Sequence, residues 1–143
     1  MSRGITLYLH VHQPYRVRDY SIFETATDHN YFTDPDPQSN RNNQKIFNKV
    51  ADKSYRPMNA VLQKLLDTHP EFKVSLSITG TFIEQAEQWA PDVIESFQNL
   101  VRSGRVEIVS ETYYHSLAFF YSRTEFVAQV EAHKQKIREL FGV

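Results

Sequence analysis

Three short stretches of this chain alternate apolar with polar residues, and helical patterns separate them. Residues 4–12 set Ile5, Leu7, Leu9 and Val11 between Thr6, Tyr8, His10 and His12, the period-2 signature of a strand. Pro14 cannot join a ladder, so Gln13-Pro14 ends that strand. Phe72, Val74, Leu76 and Ile78 repeat the alternation up to Gly80, and residues 106–110 form a third run. Ile46, Phe47, Val50, Ala60, Val61, Leu62, Leu65 and Leu66 trace a helix between the first two strands, with Pro57 beginning its second half and His69-Pro70 stopping it. Residues 81–89 and a helix opened by Pro91 lie between the second and third strands. The second of these carries Val93, Ile94, Phe97, Leu100 and Val101 on one side and ends at Gly104. A last helix is expected over residues 123–140, with Phe126, Val130, Ile137 and Phe141 near turn spacing, Thr124 as its N-cap candidate and Gly142 just past its end. Strands joined through helices pair in parallel, by right-handed crossovers. The class is therefore α/β, either a doubly wound sheet or part of a β/α barrel, and in both the chemistry gathers where strands end.

The segment from Tyr15 to Asn43 is polar, with Asp34-Pro35-Asp36-Pro37 and a run of asparagines suited to turns. A loop of that length inside a compact domain is uncommon. It reads equally as a binding loop or lid and as a solvated excursion.

Composition narrows the function classes. With 143 residues, 41% hydrophobic and 13% aromatic, the chain carries core enough for one ordered domain. Sixteen basic against seventeen acidic residues leave no positive excess to displace counterions from a phosphate backbone, which argues against general nucleic-acid binding. The chain has no cysteine, which removes disulfides, zinc ribbons and thiol chemistry. No stretch approaches the ~20 apolar residues of a membrane helix, the Met-Ser-Arg-Gly start lacks a signal-peptide core, and a cytoplasmic setting is expected. Neither a Gly-x-Gly-x-x-Gly loop nor a Gly-x-Ser-x-Gly turn occurs, so nucleotide binding through such a loop and serine nucleophiles lack support. No cofactor is expected.

The polar groups at the three strand ends are the informative residues. The first strand leads to His10, His12 and Gln13, the second to Gly80 and Glu84, and the third to Glu111, Tyr113, Tyr114 and His115. Parallel neighbours would bring them to one rim. Each also has a plainer role: a buried paired histidine, Glu84 serving a helix dipole, Glu111 ending its strand in solvent, the tyrosines packing. His29, His69 and His133 read as surface or capping histidines, and Trp89 and most phenylalanines as core. Three chemistries suit the rim. His10, His12, Glu111 and His115 could hold a divalent metal in a metal-dependent hydrolase. Glu84 and Glu111 could act as the carboxylate pair of a glycosidase. The rim could also be a binding site only, without catalysis.

His12-Gln13-Pro14 resembles the first signature of glycoside hydrolase family 57, and Gly80-Thr81-Phe82-Ile83-Glu84 resembles its second. Residues 72–80 and Glu111-Thr112-Tyr113-Tyr114-His115-Ser116 are similar to the α-amylase-type members. The resemblance implies a seven-stranded β/α barrel and retaining action on α-glucans or malto-oligosaccharides without a metal. By it, His12 contacts sugar at the cleavage subsite with His10 and Gln13 beside it, Glu84 positions that site, and Glu111, Tyr113 and His115 line the cleft. Neither Glu84 nor Glu111 matches the family's nucleophile motif, which removes them as the catalytic couple. The nucleophile and acid are expected beyond Val143, and residues 1–143 are expected to be the N-terminal portion of the catalytic barrel, inactive alone. Such a barrel takes about 250 residues. The third strand's open edge would then meet the remainder of the domain or a second copy.

Overall fold

A computed structural model describes residues 4–143. Three strands, β1 (Tyr8–Val11), β2 (Val74–Ile78) and β3 (Val106–Ile108), form one sheet in the order β1-β2-β3, parallel throughout. His10 lies opposite Ser77 and Val11 opposite Ile78, while Val74 faces Val106 and Ser75 faces Glu107. The expected α/β architecture of strand–helix units is thus observed, as an open sheet. β1 is shorter than the alternating run over residues 4–12. Its pairing begins at the Leu7 carbonyl, which accepts from the Ser75 N–H at 3.1 Å, and Ile5 is fully exposed. Alternation supplies two faces; a ladder also needs a neighbour, and β2 starts only at Val74. β3 is short for a different reason: β2 runs on to Ile78, but after the Val109 N–H reaches the Leu76 carbonyl at 2.8 Å the third chain segment turns away from it.

The helices follow the apolar spacing. α1 (Asn43–Val50) is capped by Asn42, whose side chain accepts from the Lys45 N–H at 2.9 Å. A π-helical turn, Ala51–Tyr55, carries it into α2 (Arg56–Thr68). This wide turn lies just ahead of Pro57, a residue with no N–H to return to the preceding turn. α3 (Gly80–Trp89) is capped by the Thr79 hydroxyl, and α4 (Pro91–Arg102) opens on its proline and closes before Gly104, at φ +70°. After a 3₁₀ turn, Ala118–Phe120, comes α5 (Arg123–Phe141). Its cap is Ser122 rather than Thr124: the Ser122 hydroxyl accepts from the Glu125 N–H at 3.2 Å. Gly142 ends it at φ +72°.

The sheet is covered on one face. Val11, Val74, Leu76, Ile78 and Val106 join Phe47, Leu62, Leu66, Phe82, Phe97 and Leu100 in a single buried cluster. The other face carries Tyr8, His10, Ser75, Ser77 and Glu107, where the Ser75 hydroxyl donates to Glu107 at 2.8 Å. β1 and β3 pair on one side only, and a groove of about 370 Å³ lined by Val106, Ile108, Ile137 and Val143 follows the β3 edge. The segment between β1 and α1 contains turns but neither a strand nor a helix, as its composition predicts. Its base is closed by buried Asn43, which accepts from the Arg16 N–H at 2.9 Å and donates to the Arg16 and Phe32 carbonyls at 2.9 and 2.8 Å. Among the described residues, no helix is long and apolar enough to cross a membrane.

Candidate functional site

Parallel pairing brings the C-terminal ends of all three strands to one rim, and the register decides which side chains meet there. His10 and Ser77 are direct cross-strand partners, and the His10 Nδ1 lies 3.2 Å from the Ser77 hydroxyl. That hydroxyl donates in a short hydrogen bond to Glu111. The other Glu111 oxygen lies 3.2 Å from the His115 Nδ1. Just past the end of β1, the His12 Nδ1 sits 3.0 Å from the Thr79 hydroxyl. The imidazoles of His10 and His12 stand 4.6 Å from that of His115, centroid to centroid, and 5.8 Å from each other. His10, His12, Glu111 and His115 therefore form one cluster, drawn from the end of β1 and the loop after β3, with Ser77 of β2 linking His10 to Glu111.

Backbone conformation contributes to it. His115 has φ +53°, a left-handed conformation unusual for a residue with a side chain, and the Thr112 carbonyl accepts from its N–H at 3.0 Å in a tight turn. This turn aims the imidazole back over Glu111. Burial depresses the pKa of His12 below its ordinary value of 6.5, and the neighbouring rings of His115 and His10 push it the same way, while the Glu111 carboxylate opposes them.

A second group adjoins the first. Glu84 lies in the second turn of α3 and does not cap it, because Thr79 does. Its carboxylate instead accepts from the Tyr113 hydroxyl at 3.0 Å. Burial and the Glu84 carboxylate together push the Tyr15 phenol up to about 12, and the same two causes, in the same order, raise Tyr113. The Tyr113 ring lies against Gly80, so closely that a Cβ there would overlap it, and the Gly80 N–H donates to the Tyr113 carbonyl at 2.8 Å. Tyr113 thus both packs and holds Glu84. Tyr114 is largely exposed, in edge contact with it.

Gln13 is set apart from these groups. It is buried, its side-chain oxygen accepts twice from the Arg16 guanidinium at 3.0 Å, and its carbonyl accepts from Gln85 at 2.7 Å. His133, expected as a surface or capping histidine, is instead fully buried on α5. Its Nε2 lies 2.8 Å from the Ile78 carbonyl, and its Nδ1 lies 3.5 Å from the Glu111 N–H. A ring that donates through Nε2 and accepts at Nδ1 satisfies both, and it ties the end of β2 to the backbone of Glu111. Four positions separate it from both Gln129 and Ile137, a spacing that does mark a single helix face, but hydropathy left it off the core. Ser77 and Thr79 were likewise missed, although they occupy the polar positions of the second strand's alternation. His29 and His69 are exposed, as expected, and Trp89 is half-buried against Phe47.

The cluster can donate and accept hydrogen bonds in several directions from imidazole, hydroxyl and carboxylate groups, a donor–acceptor set suited to a polyhydroxylated ligand. The family model described as Glycosyl hydrolase family 57 matches residues 6–143. A Methanocaldococcus jannaschii protein provisionally named an alpha-amylase is 38% identical over 139 residues, which is 96% of this chain and 28% of that protein. A 4-alpha-glucanotransferase of Thermococcus litoralis is 27% identical over 95 residues, 66% of this chain and 14% of the enzyme. The crystal structure of that glucanotransferase superposes with a TM-score of 0.67 at 22% identity, over 94% of this chain and 17% of the other, a likeness of fold. The chain thus spans between about one seventh and somewhat over a quarter of these relatives' lengths.

Proposed function

The chain belongs to glycosyl hydrolase family 57, and from that premise we propose that it forms the N-terminal portion of a catalytic β/α barrel that acts on α-glucans of the amylase type with retention of configuration. The observation that carries this reading is the convergence of His10, His12, Glu111 and His115 where the three parallel strands end. The relatives' names, an alpha-amylase and a 4-alpha-glucanotransferase, support an α-glucan as the ligand. In this reading His12 contacts a sugar hydroxyl at the cleavage subsite and His10 flanks it. Glu84, held by Tyr113, orients the adjacent ring, while Glu111 and His115 line the cleft. Gln13 supports the site from below through Arg16 and Gln85. The nucleophile and the acid are supplied by residues other than Glu84 and Glu111, so this chain binds malto-oligosaccharide without turning it over.

Calorimetric titration of the 143-residue chain with maltoheptaose, paired with a reducing-sugar assay, tests both halves. Saturable binding that is lost in His12→Ala and weakened in Glu84→Gln, with no sugar released, is the expected result. Wild-type chain that binds no maltoheptaose overturns the glucan reading; sugar release abolished by Glu84→Gln overturns the assignment of catalysis elsewhere.

A further inference from the structure

The geometry points to a three-donor site for a divalent first-row transition metal of the zinc class, formed by His10, Glu111 and His115. One donor atom from each of the three lies within 4.8 Å of the other two. Zinc ligands at about 2.0–2.2 Å in a tetrahedral arrangement are about 3.3–3.6 Å apart. Here the His115 Nδ1 is 3.2 Å from Glu111 and the His10 Nδ1 is 3.9 Å from it, so the observed separations bracket that range. His115 is half-exposed and lies on a turn, outside the strands.

The donor types fit the ion. Two imidazoles and a carboxylate make a borderline nitrogen–oxygen set, favourable to zinc, cobalt and nickel over magnesium or calcium. The His115 Nδ1 meets Glu111 directly and the His10 Nδ1 reaches it across the Ser77 hydroxyl, so a cation seated among them takes the place of the His115–Glu111 hydrogen bond and of the contact between His10 and Ser77. The Ser77 hydroxyl, bonded to Glu111, is the outer contact that fixes the carboxylate's orientation. Three protein donors leave further coordination positions open to water or a ligand hydroxyl. His12 is outside this set: the donor atoms that lie within 4.8 Å of one another come from His10, Glu111 and His115. The four-residue metal grouping expected from sequence is therefore reduced to three. The site shares His10, Glu111 and His115 with the glucan cleft proposed above, so ion and sugar compete for it, and no catalytic step is assigned to it.

The test is titration of the full chain with zinc chloride alone, by calorimetry in a non-coordinating buffer. One ion per chain is expected, with uptake weakened about tenfold or more in His115→Ala and in Glu111→Gln, and about tenfold in Ser77→Ala. His29→Ala and His69→Ala should bind as the wild type. A readout without substitution accompanies it: cobalt(II) should broaden the imidazole proton signals of His10 and His115 first, leaving those of His29 and His69 sharp. Absence of stoichiometric zinc uptake, uptake undiminished in a folded His115→Ala, or broadening that begins at His29 or His69 overturns the proposal.

Discussion

Gly80→Ala is the substitution whose consequence the structure states most directly. Gly80 opens α3 and lies against the Tyr113 ring, so an added methyl must displace that ring. Overpacking of this kind costs about 1–3 kcal/mol. The ring cannot shift without stretching the 3.0 Å bond from its hydroxyl to Glu84, and a hydrogen bond to a charged group is worth about 1.5–3 kcal/mol. Because Tyr113 is only partly buried and can swing outward, the two losses overlap, and a total of about 2–4 kcal/mol is expected. That is a large share of the ~5–15 kcal/mol that holds a domain together. It corresponds to a fall in melting temperature of about 6–12 °C at roughly 3 °C per kcal/mol. Urea unfolding measures it, and a double-mutant cycle isolates its cause: with Tyr113→Ala already in place the ring is gone, and Gly80→Ala should cost less than about 0.5 kcal/mol. The Tyr113 phenol provides a second reading. Burial and Glu84 raise its pKa, so in Gly80→Ala the displaced ring should titrate back toward about 10 in a spectroscopic measurement. Equal destabilisation in both backgrounds, or a wild-type loss below about 0.5 kcal/mol, would refute the steric argument.

Other substitutions probe the supports of the site. His133→Ala strips buried partners from the Ile78 carbonyl and the Glu111 N–H and should cost about 2–4 kcal/mol in urea unfolding, with His133→Gln recovering part; a loss under about 1 kcal/mol would dismiss its bridging role. His12 gives a pH dependence of known sign. Its pKa is lower in the fold than the 6.5 of an unperturbed histidine, so the unfolded chain binds more protons in the window between the two values. The stability tied to its neutral ring is complete above 6.5 and is lost as pH falls through the depressed value. His12→Asn should flatten that slope in urea midpoints measured across the window, and an unchanged slope would assign it to another group. Asn43→Ala removes the amide that closes the long loop, and it should cost about 1–3 kcal/mol and speed limited proteolysis between residues 16 and 42; an unchanged cleavage pattern would count against the clamp.

The alternation at Leu9-His10-Val11 and Val74-Ser75-Leu76-Ser77-Ile78 was legible because side-chain period depends on the chain itself. How far each ladder runs depends on a neighbour, and so residues 4–7 alternate yet form no strand. The helix cap was misread by two positions for a similar reason. Ser122 and Thr124 both offer hydroxyls, but Ser122 stands three residues before Glu125, the spacing of a capping box, which hydrophobic periodicity does not weigh. The rim residues were legible as a set, since parallel strands must deliver their ends to one side. Their links were not. Ser77, Thr79 and His133 lie on positions that polarity alone assigns to the surface, and each is buried with its polar group paired: Ser77 to Glu111, Thr79 to His12 and the Phe82 N–H, His133 to the Ile78 carbonyl.

The one-sided covering of the sheet has an electrostatic consequence. On the side without helices, His10 and Glu111 lie 3.9 Å apart and both keep some contact with water, a medium in which any two unit charges 4 Å apart attract by only about 1 kcal/mol. Any layer laid over that face, whether a ligand, a second copy or more polypeptide, lowers the local dielectric, and near a protein surface the same attraction rises to about 4 kcal/mol. The strand ends are therefore an amplifier whose gain is set by their cover: the same residues, unmoved, grip a bound group more firmly as water is excluded from above them.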